Sequence, residues 1–581
     1  DHVRALIRTI LAPALVIGGK MSISHHEAIA QLTAPGSAFE THKIFVGGVE
    51  VTAFKNAPNN LRDVFSLSRA RGETIFLVYE DERWSFTQTM NHVDAIAAML
   101  VHKYGVKKGD RVAIAMRNYP EWVMSFAAIL SIGAISVSFN AWWTEDENGF
   151  ALEDCGAKVL LCDDERAERS TVSLKRLGIH GVVCRSKNPL PEGFDRWEDS
   201  IMLGEAMPAV DITPDDDATI LYTSGTTGRP KGAVSTHRSI IQALMAFSCR
   251  TTITNVRYPK DPKDADSAPS LVPAFILVVP LFHVTGCIPV MMSCFVGGLK
   301  LVIMYKWEPE RALQLIEREQ ITNFVGVPTQ SWDLLECPNF SKYDVSSLSN
   351  VGGGGAPAPP ELVKRVASNF KKGQPGIGYG MTETNAYGPQ NTGADYISHP
   401  TSTGRGVPIL EIETRDAEGR RLGPDDIGEI WFKGPHLIRG YWNRPEATAE
   451  TIVNGWLRSG DLGKIDEEGF VYVLDRAKVM VLRAGENIYS AEVEASIYEL
   501  AQIHECAVFG LPHERLGEEV ACVIMLKPGM TLNADEVRAH VAKNLAGFKV
   551  PSRIAFVLGP LPRNASGKIL KRELRDTFPS D

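Results

Sequence analysis

Eleven residues, Tyr222 to Gly232, read YTSGTTGRPKG and follow the apolar run TIL. Hydroxyls at Thr223, Ser224, Thr226 and Thr227, with Gly225 and Gly228 among them, make a loop whose backbone N–H groups can turn outward around phosphate oxygens, and Lys231 adds a point charge. A Gly/Thr turn is common, but this order is specific. It is not a P-loop, because Gly19-Lys20, Gly463-Lys464 and Gly567-Lys568 are each followed by Met or Ile, never by Ser or Thr. Neither Gly352 to Gly355 nor Gly376 to Gly380 has the GxGxxG spacing of a dinucleotide site, and no GxSxG marks an α/β-hydrolase.

The stretch Gly378 to Thr384 reads GYGMTET. Gly378 and Gly380 flank Tyr379 and permit a flat ligand to approach its ring, Thr382 can hydrogen-bond a phosphate, and Glu383 is a hard oxygen ligand suited to Mg²⁺. In WLRSGDLG, from Trp456, Asp461 can accept from two ribose hydroxyls, although an Asp after Gly is also an ordinary turn residue. Two further stretches are DRAKVMVLRAGENIYSAEVE from Asp475 and PRNASGKILKRELR from Pro562, where Lys568 sits in a flexible, Gly-flanked basic context. Taken singly, Glu383 reads as a solvated carboxylate and Lys568 as a surface lysine.

In this order the five stretches resemble the adenylate-forming superfamily of acyl-CoA synthetases, luciferases and peptide-synthetase adenylation domains, from about Leu61 to Arg575. The resemblance implies a reaction in two halves: a carboxylate and ATP give acyl-AMP and pyrophosphate, and a thiol, usually that of CoA, then displaces AMP. It implies a phosphate loop from Thr223 to Lys231, with Thr223 and Glu383 at the metal and Thr382 at the α-phosphate. It further implies an adenine pocket at Gly354, Gly355, Ala356, Pro357, Tyr379 and Gly380, ribose contacts at Asp461 and Arg476, and a hinge at Lys478. Lys568 becomes the adenylation lysine, and Gly485 and Glu486 belong to a loop beside the pantetheine passage. ATP, Mg²⁺ and CoA are the cofactors expected.

Physical logic supports these roles independently. A carboxylate attacking a polyphosphate brings two anions together, so catalysis has to come from positioning and from cations on the developing phosphoryl charge, here Lys231, Lys568 and Mg²⁺. Thioester formation instead needs pyrophosphate gone and a narrow way in for the thiol. One site serving both halves implies a hinged molecule in which Lys568 leaves and the AGEN loop arrives. Three residues depart from the family pattern: Val479 after the hinge lysine, Ala484 where Gly is usual, and Asn564 where Thr is frequent.

For the acid, PLFHVTG places His283 where amino-acid-activating relatives carry an Asp that would pair a substrate ammonium, which disfavours an α-amino acid. The resemblance makes His283 a gate at the pocket mouth, and a packed histidine is the plainer alternative. The glycines of VGGGGAPA, from Val351, leave room, and the neighbouring LVPAFILVVPLF and FVGVPTQ are apolar, with no Arg or Lys to pair a second carboxylate. A medium- or long-chain fatty acid fits best. Aryl or polycyclic acids stay open, as does amide formation with an amine. A nucleotide-binding sensor without turnover predicts loss of a catalytic group, yet Lys231, Glu383, Asp461, Arg476 and Lys568 are all present.

These groups need elements to hold them. From Trp84 to Met304, short β-rich runs (RVAIAMRN, KVLLCDD, TILYTS, KLVIM) alternate with helical patterns, which predicts mostly parallel, doubly wound α/β sheets. Thr403 to Val473 is punctuated by Gly and Pro between short strands, which predicts a small antiparallel barrel or sheet, taken as a β-barrel subdomain. Beyond Arg476 follows a compact α+β domain. The expected organisation is an N-terminal extension over 1–40, an AMP-binding domain over 41–475 and a mobile C-terminal α+β domain over 476–581, hinged at Lys478. Asp1 to Lys20 is set apart as an extension and not a signal peptide.

With 61 Lys+Arg against 70 Asp+Glu, the net charge of -9 gives no basic field for nucleic acid. Nine scattered cysteines suggest neither a disulfide framework nor a zinc site, which fits a reducing, cytoplasmic setting. No apolar run reaches the roughly 20 residues that span a bilayer. Small molecules are the expected partners, with an oligomer possible.

Overall fold

The computed structural model describes residues 23–223, 230–259, 272–356, 358–370, 372–476, 479–484, 486–565 and 567–579. Two eight-stranded sheets form the larger part. In the first, the strands run in the spatial order Gly440–Tyr441, Lys231–Thr236, Asp217–Thr223, Ile135–Ser138, Arg111–Ala115, Ala157–Asp163, His180–Cys184 and Phe194–Arg196. Pairing is parallel from Asp217–Thr223 to the far edge and antiparallel on the near side. In the second, Gln374–Gly378, Asn350–Gly354, Asn323–Gly326, Ala274–Leu277, Lys300–Ile303 and Ile75–Tyr79 are parallel, with one antiparallel strand at each edge.

Parallel strands are buried on both faces and need helical crossovers, which explains their continuous apolar runs. The helix Pro120–Ser131 is buried all round except at Glu121, as expected of a helix enclosed between layers. One large apolar cluster joins it to Phe86–His102 and His237–Arg257 and to strands of both sheets. The helix His237–Arg257 starts where Thr236 caps it: the Thr236 hydroxyl accepts from Ser239 N at 3.1 Å, and the Ser239 hydroxyl accepts from Thr236 N at 3.0 Å.

One expectation changes. The Gly- and Pro-punctuated segment forms an open five-stranded antiparallel sheet and not a closed barrel. In it Trp456–Ile465 pairs with Gly428–Lys433, Ile452–Val453 and Val471–Arg476, and Glu411–Arg415 is an outer strand. Closure needs strand tilt and stagger that bring the outer strands together, and among the described residues these do not pair. Part of the expected N-terminal extension packs on the larger part. The helix His25–Thr33 carries a capping box at Ser24 and packs on His237–Arg257, with Ala28 and Phe39 buried.

The fourth sheet has Gly517–Leu526 at its centre, flanked by Ile503–His513 and by Arg553–Val557, with the hairpin Val481–Arg483 and Glu486–Ile488 at one side. Apolar clusters line both of its faces. Helices Ser490–Tyr498 and Ala534–Asn544 belong to this unit and pack on each other. No described helix is long and apolar enough to cross a membrane.

Candidate active site

Thr223 and Lys231 are facing partners across the antiparallel pair Asp217–Thr223 and Lys231–Thr236, so the phosphate-loop motif joins the two strands of a hairpin. The Thr223 hydroxyl donates to the Lys231 carbonyl at 3.4 Å, and the Lys231 ammonium stands 5.3 Å from the centre of the Tyr441 ring. Ser224, Gly225, Thr226, Thr227 and Gly228 lie outside the described residues, as do Pro357, Lys478 and Gly485.

The GYGMTET stretch leaves the end of Gln374–Gly378 and turns at once. Its two glycines do different work. A Cβ on Gly378 would meet nothing within 4 Å, so that face is open to a ligand, whereas a Cβ on Gly380 would stand 2.5 Å from the Ala386 carbonyl oxygen. Gly380 therefore serves close packing of the turn on itself. Gly354 and Gly355 stand beside it: Gly354 lies opposite Gly378 in the ladder, and Gly355 has a positive φ of 75°. Ala356 follows in a bend at the end of this strand.

After Thr384, Asn385 and Ala386 both take left-handed backbone, φ 52° and 61°, which is costly for residues with a Cβ. Asn385 fixes this turn. Its side chain accepts from the Ser235 hydroxyl at 2.9 Å and donates to the His436 carbonyl at 2.9 Å and to the Ser239 hydroxyl at 3.4 Å. The turn is thereby tied to the phosphate-loop hairpin and its helix, and Thr382 and Glu383 are presented next to Lys231. Glu383 Oε1 accepts the Tyr441 hydroxyl at 2.7 Å, and burial followed by the Glu383 charge pushes the pKa of that phenol up. Sequence reasoning missed Tyr441, whose GYWN context carries no signal of its own.

No set of three or more His, Cys, Asp or Glu capable of caging a metal occurs among the described residues. That is compatible with Mg²⁺, which typically binds through one or two carboxylates together with substrate phosphates and water. Glu383, partly exposed and hydrogen-bonded through one oxygen, fits that use, with Thr223 at the mouth of the hairpin.

Asp461, 6% exposed, accepts the Tyr379 hydroxyl on Oδ2 at 2.5 Å and pairs with Arg476 Nε at 3.3 Å on Oδ1. Asp461 and Arg476 also face each other across the strands Trp456–Ile465 and Val471–Arg476. Burial raises the Asp461 pKa, against the pull of Arg476, Tyr379 and Lys568. Lys568 reaches this group from the C-terminal sheet. Burial, and then the neighbouring Arg476 charge, bring its ammonium down to about 8, opposed by Asp461. Its loop is held by Lys568 N donating to Asn564 Oδ1 at 2.9 Å and by Arg563 Nη1 donating to the Gly567 carbonyl at 2.7 Å. A Cβ on Gly567 would stand 2.9 Å from Val327, the residue that also borders Gly355, so the tip of this loop enters the cleft.

The AGEN stretch is elsewhere. Ala484 and Glu486 are exposed on the hairpin of the C-terminal sheet, and Ala484 adopts φ 52° while its N–H donates to the Leu516 carbonyl at 2.7 Å. Of the two stretches expected to alternate, Lys568 is at the cleft and the AGEN hairpin is not.

His283 sits in a tight turn: its N–H donates to the Pro280 carbonyl at 3.1 Å, and a Cβ on Gly286 would stand 2.3 Å from that same oxygen. Burial takes its pKa down to about 4, so the ring is neutral near pH 7. Nδ1 accepts from Thr285 N at 3.3 Å. A π-helical segment, Gly286–Met292, follows, an arrangement often found at functional sites.

Comparison with known proteins places these features among relatives. The AMP-binding enzyme family matches residues 66–442, and the AMP-binding enzyme C-terminal domain matches residues 492–568. A Rhodococcus jostii (strain RHA1) protein named as the CoA ligase of a methyl-dioxo-octahydro-indenyl propanoyl group is 33% identical over 528 residues, covering 88% of this chain and 96% of the relative. The long-chain-fatty-acid–CoA ligase FadD13 of Mycobacterium tuberculosis is 33% identical over 508 residues, covering 86% and 94%. Among solved structures, ATP-bound MatB from Rhodopseudomonas palustris superposes with a TM-score of 0.77 at 27% identity, over 90% of this chain and 99% of that one.

Proposed function

The chain belongs to the AMP-binding enzyme family, and from that premise we propose that it is an AMP-forming acid–thiol ligase: it activates a carboxylic acid with ATP to acyl-AMP and transfers the acyl group to CoA. The observation that carries this reading is the convergence of Lys568, Asp461, Arg476 and Tyr379 beside the Thr382–Glu383 turn. Tyr379 and the open face of Gly378 suit an adenine ring. Asp461, already holding the Tyr379 hydroxyl, is positioned to accept the ribose hydroxyls, with Arg476 keeping it charged. Lys231 stands beside Glu383 through Tyr441, where the β- and γ-phosphates belong.

Lys568 supplies the charge for the first half-reaction. Its ammonium is held out of water and lacks a hydrogen-bonded carboxylate among the described residues, so the carboxylate and α-phosphate oxygens of the reactants complete its coordination as negative charge builds up between them. Glu383 and Thr223 would hold Mg²⁺, which screens phosphate charge when bound. In the second half-reaction pyrophosphate has left, Lys568 withdraws about the hinge at Lys478, and the exposed AGEN hairpin takes its place along the pantetheine passage. We place the division between the AMP-binding and C-terminal domains at 475/476.

The acid is read as one with a sizeable apolar body. A neutral His283 offers no counter-ion to a substrate ammonium, and the relatives include ligases named for a long-chain fatty acid and for a dioxo-bicyclic acid. Nine unpaired thiols, eight of them buried, support a cytoplasmic setting. The test is product analysis with purified protein, ATP, CoA and a panel of alkanoic, aryl and polycyclic acids. The expected products are AMP, pyrophosphate and an acyl-CoA; release of ADP, or amide formation with an amine in place of thioester, contradicts the reading.

A further inference from the structure

The peptide unit that joins Gly567 to Lys568 is fixed at both ends. Its carbonyl, on Gly567, accepts from Arg563 Nη1 at 2.7 Å, and its N–H, on Lys568, donates to Asn564 Oδ1 at 2.9 Å. Backbone bonds close the same loop, from Asn564 N to the Lys568 carbonyl and from Gly567 N to the Asn564 carbonyl, both at 2.9 Å. Gly567 takes a φ of 81°, which glycine reaches without steric cost. A peptide plane held by both its oxygen and its nitrogen has little freedom to swivel. These two partners therefore set the direction in which the Lys568 side chain leaves the backbone.

Arg563 is itself braced. Its Nη2 donates to Glu505 Oε1 at 2.7 Å, and the other oxygen of that carboxylate accepts from Leu561 N at 2.9 Å. Glu505 is 5% exposed and commits both oxygens to the segment that leads into the lysine loop. The strand pairing explains its placement. The ladder between Ile503–His513 and Gly517–Leu526 shifts register between Ile503 and Glu505, which leaves His504 without an opposite residue. A bulge of this kind re-aims the side chains around it. Here His504 Nδ1 meets Glu336 of the larger part at 3.0 Å, while Glu505 takes the loop. Asp333 of the larger part acts on the same junction. Burial raises its pKa, opposed by Trp307, whose Nε1 donates to Oδ2 at 2.8 Å, and then by the charges of His504 and Arg563.

Resting on the reading of Lys568 as the adenylation lysine, we infer that Arg563, braced by Glu505, is a positioning residue for the first half-reaction: it acts through the placement of the Lys568 ammonium and on neither reactant directly. A guanidinium suits this task because its planar fork serves two acceptors at once, the Glu505 carboxylate and the Gly567 carbonyl, where an ammonium on a flexible stem fixes no such geometry. Adenylation needs the lysine charge where the carboxylate and α-phosphate oxygens converge, and a displacement of about 1 Å can cost on the order of 10²-fold in rate. Thioester formation, from which Lys568 has withdrawn, has no use for the brace.

The test measures both half-reactions in the full chain for Arg563→Met, Arg563→Lys, Glu505→Gln, Lys568→Ala and the double variant of Arg563→Met with Lys568→Ala. One assay is acid-dependent pyrophosphate exchange into ATP, with KM for ATP and for the acid; the other is conversion of pre-made acyl-AMP and CoA to thioester. Arg563→Met should lower kcat for exchange by about 10- to 100-fold, with both KM values little changed and thioester formation close to native. Arg563→Lys should restore part of the exchange. The double variant should exchange no more slowly than Lys568→Ala, because a residue that acts through the lysine has nothing to act on once the lysine is gone. Glu505→Gln keeps an acceptor for Leu561 N and removes the charge that braces the guanidinium, so it should show a smaller loss in the same half, and it covers the case in which Arg563→Met folds poorly. Equal losses in the two halves for both Arg563→Met and Glu505→Gln, native exchange in both, or additive losses in the double variant overturn the inference and leave the ligase reading intact. Exchange that survives in Lys568→Ala contradicts the role of the lysine itself, and the inference falls with it.

Discussion

At the scale of residues, the site is built from groups whose ordinary behaviour is altered by burial. Lys568 is the clearest case. In the proposed reading its ammonium is the form that stabilises the adenylation transition state, and burial beside Arg476 has brought its pKa to about 8. The rate of acyl-AMP formation, measured by single-turnover quench with subsaturating ATP, should therefore fall as pH rises through about 8, whereas thioester formation from pre-made acyl-AMP should lack this limb. The two glycines around Tyr379 give a sharper test of position. Gly378→Ala places a methyl in open space and should fold normally with a raised KM for ATP, while Gly380→Ala drives its Cβ into the Ala386 carbonyl and should lower stability by a few kcal/mol, in the range of overpacking. Equilibrium urea unfolding and ATP titration separate these outcomes.

At the scale of elements, the sequence made most of the secondary structure legible and left its closure undetermined. RVAIA, AKVLLCD and TILYT read as strands because parallel strands buried on both faces need unbroken apolar runs. Whether Glu411 to Arg476 closes into a barrel depends on how its outer strands meet, which no local pattern encodes, and it stays open. The motif residues were legible as a list, but their partners were not. The bonds from Tyr379 to Asp461 and from Tyr441 to Glu383 span 82 and 58 residues. The Ala484 departure acquires a physical meaning only in the structure, where φ is 52°. A methyl group at a left-handed position costs roughly 1 kcal/mol, so Ala484→Gly should stabilise the hairpin by about that amount. Slower hydrogen exchange at the Leu482 to Asn487 amides would register the gain, and unchanged or faster exchange would argue against strain there.

At the scale of the whole molecule, the proposed reading makes the orientation of the C-terminal sheet decide which half-reaction the site performs, and an ion cluster bridges that sheet to the larger part. Glu336 accepts from His504 Nδ1 at 3.0 Å and pairs with Lys527 at 3.0 Å, both from the C-terminal sheet, and with Arg365 at 3.3 Å on its own side. Burial alone would raise the Glu336 carboxyl, but His504 and Lys527 hold it down to about 2, and the Glu336 hydrogen bond raises the His504 pKa in return. The sign follows from these directions. The His504 share of the contact is complete below the ordinary histidine pKa of about 6.5 and is lost as pH rises through the raised value, while the Glu336 share is complete above its ordinary value of 4.5 and is lost as pH falls toward about 2. Distances between labels on the two sides should show the present orientation losing population in mildly alkaline buffer. His504→Gln should abolish that dependence and cost about 1 kcal/mol or less, up to roughly five-fold in population. In the proposed reading this orientation is the one that forms acyl-AMP, and Lys568 acts in that half alone. The direct measurement is both half-reactions for Lys568→Ala: acid-dependent pyrophosphate exchange into ATP, and conversion of purified acyl-AMP and CoA to thioester. Exchange should fall by roughly 10² to 10³, the cost of removing one preorganised charge, with thioester formation close to native; equal losses in the two halves would contradict it.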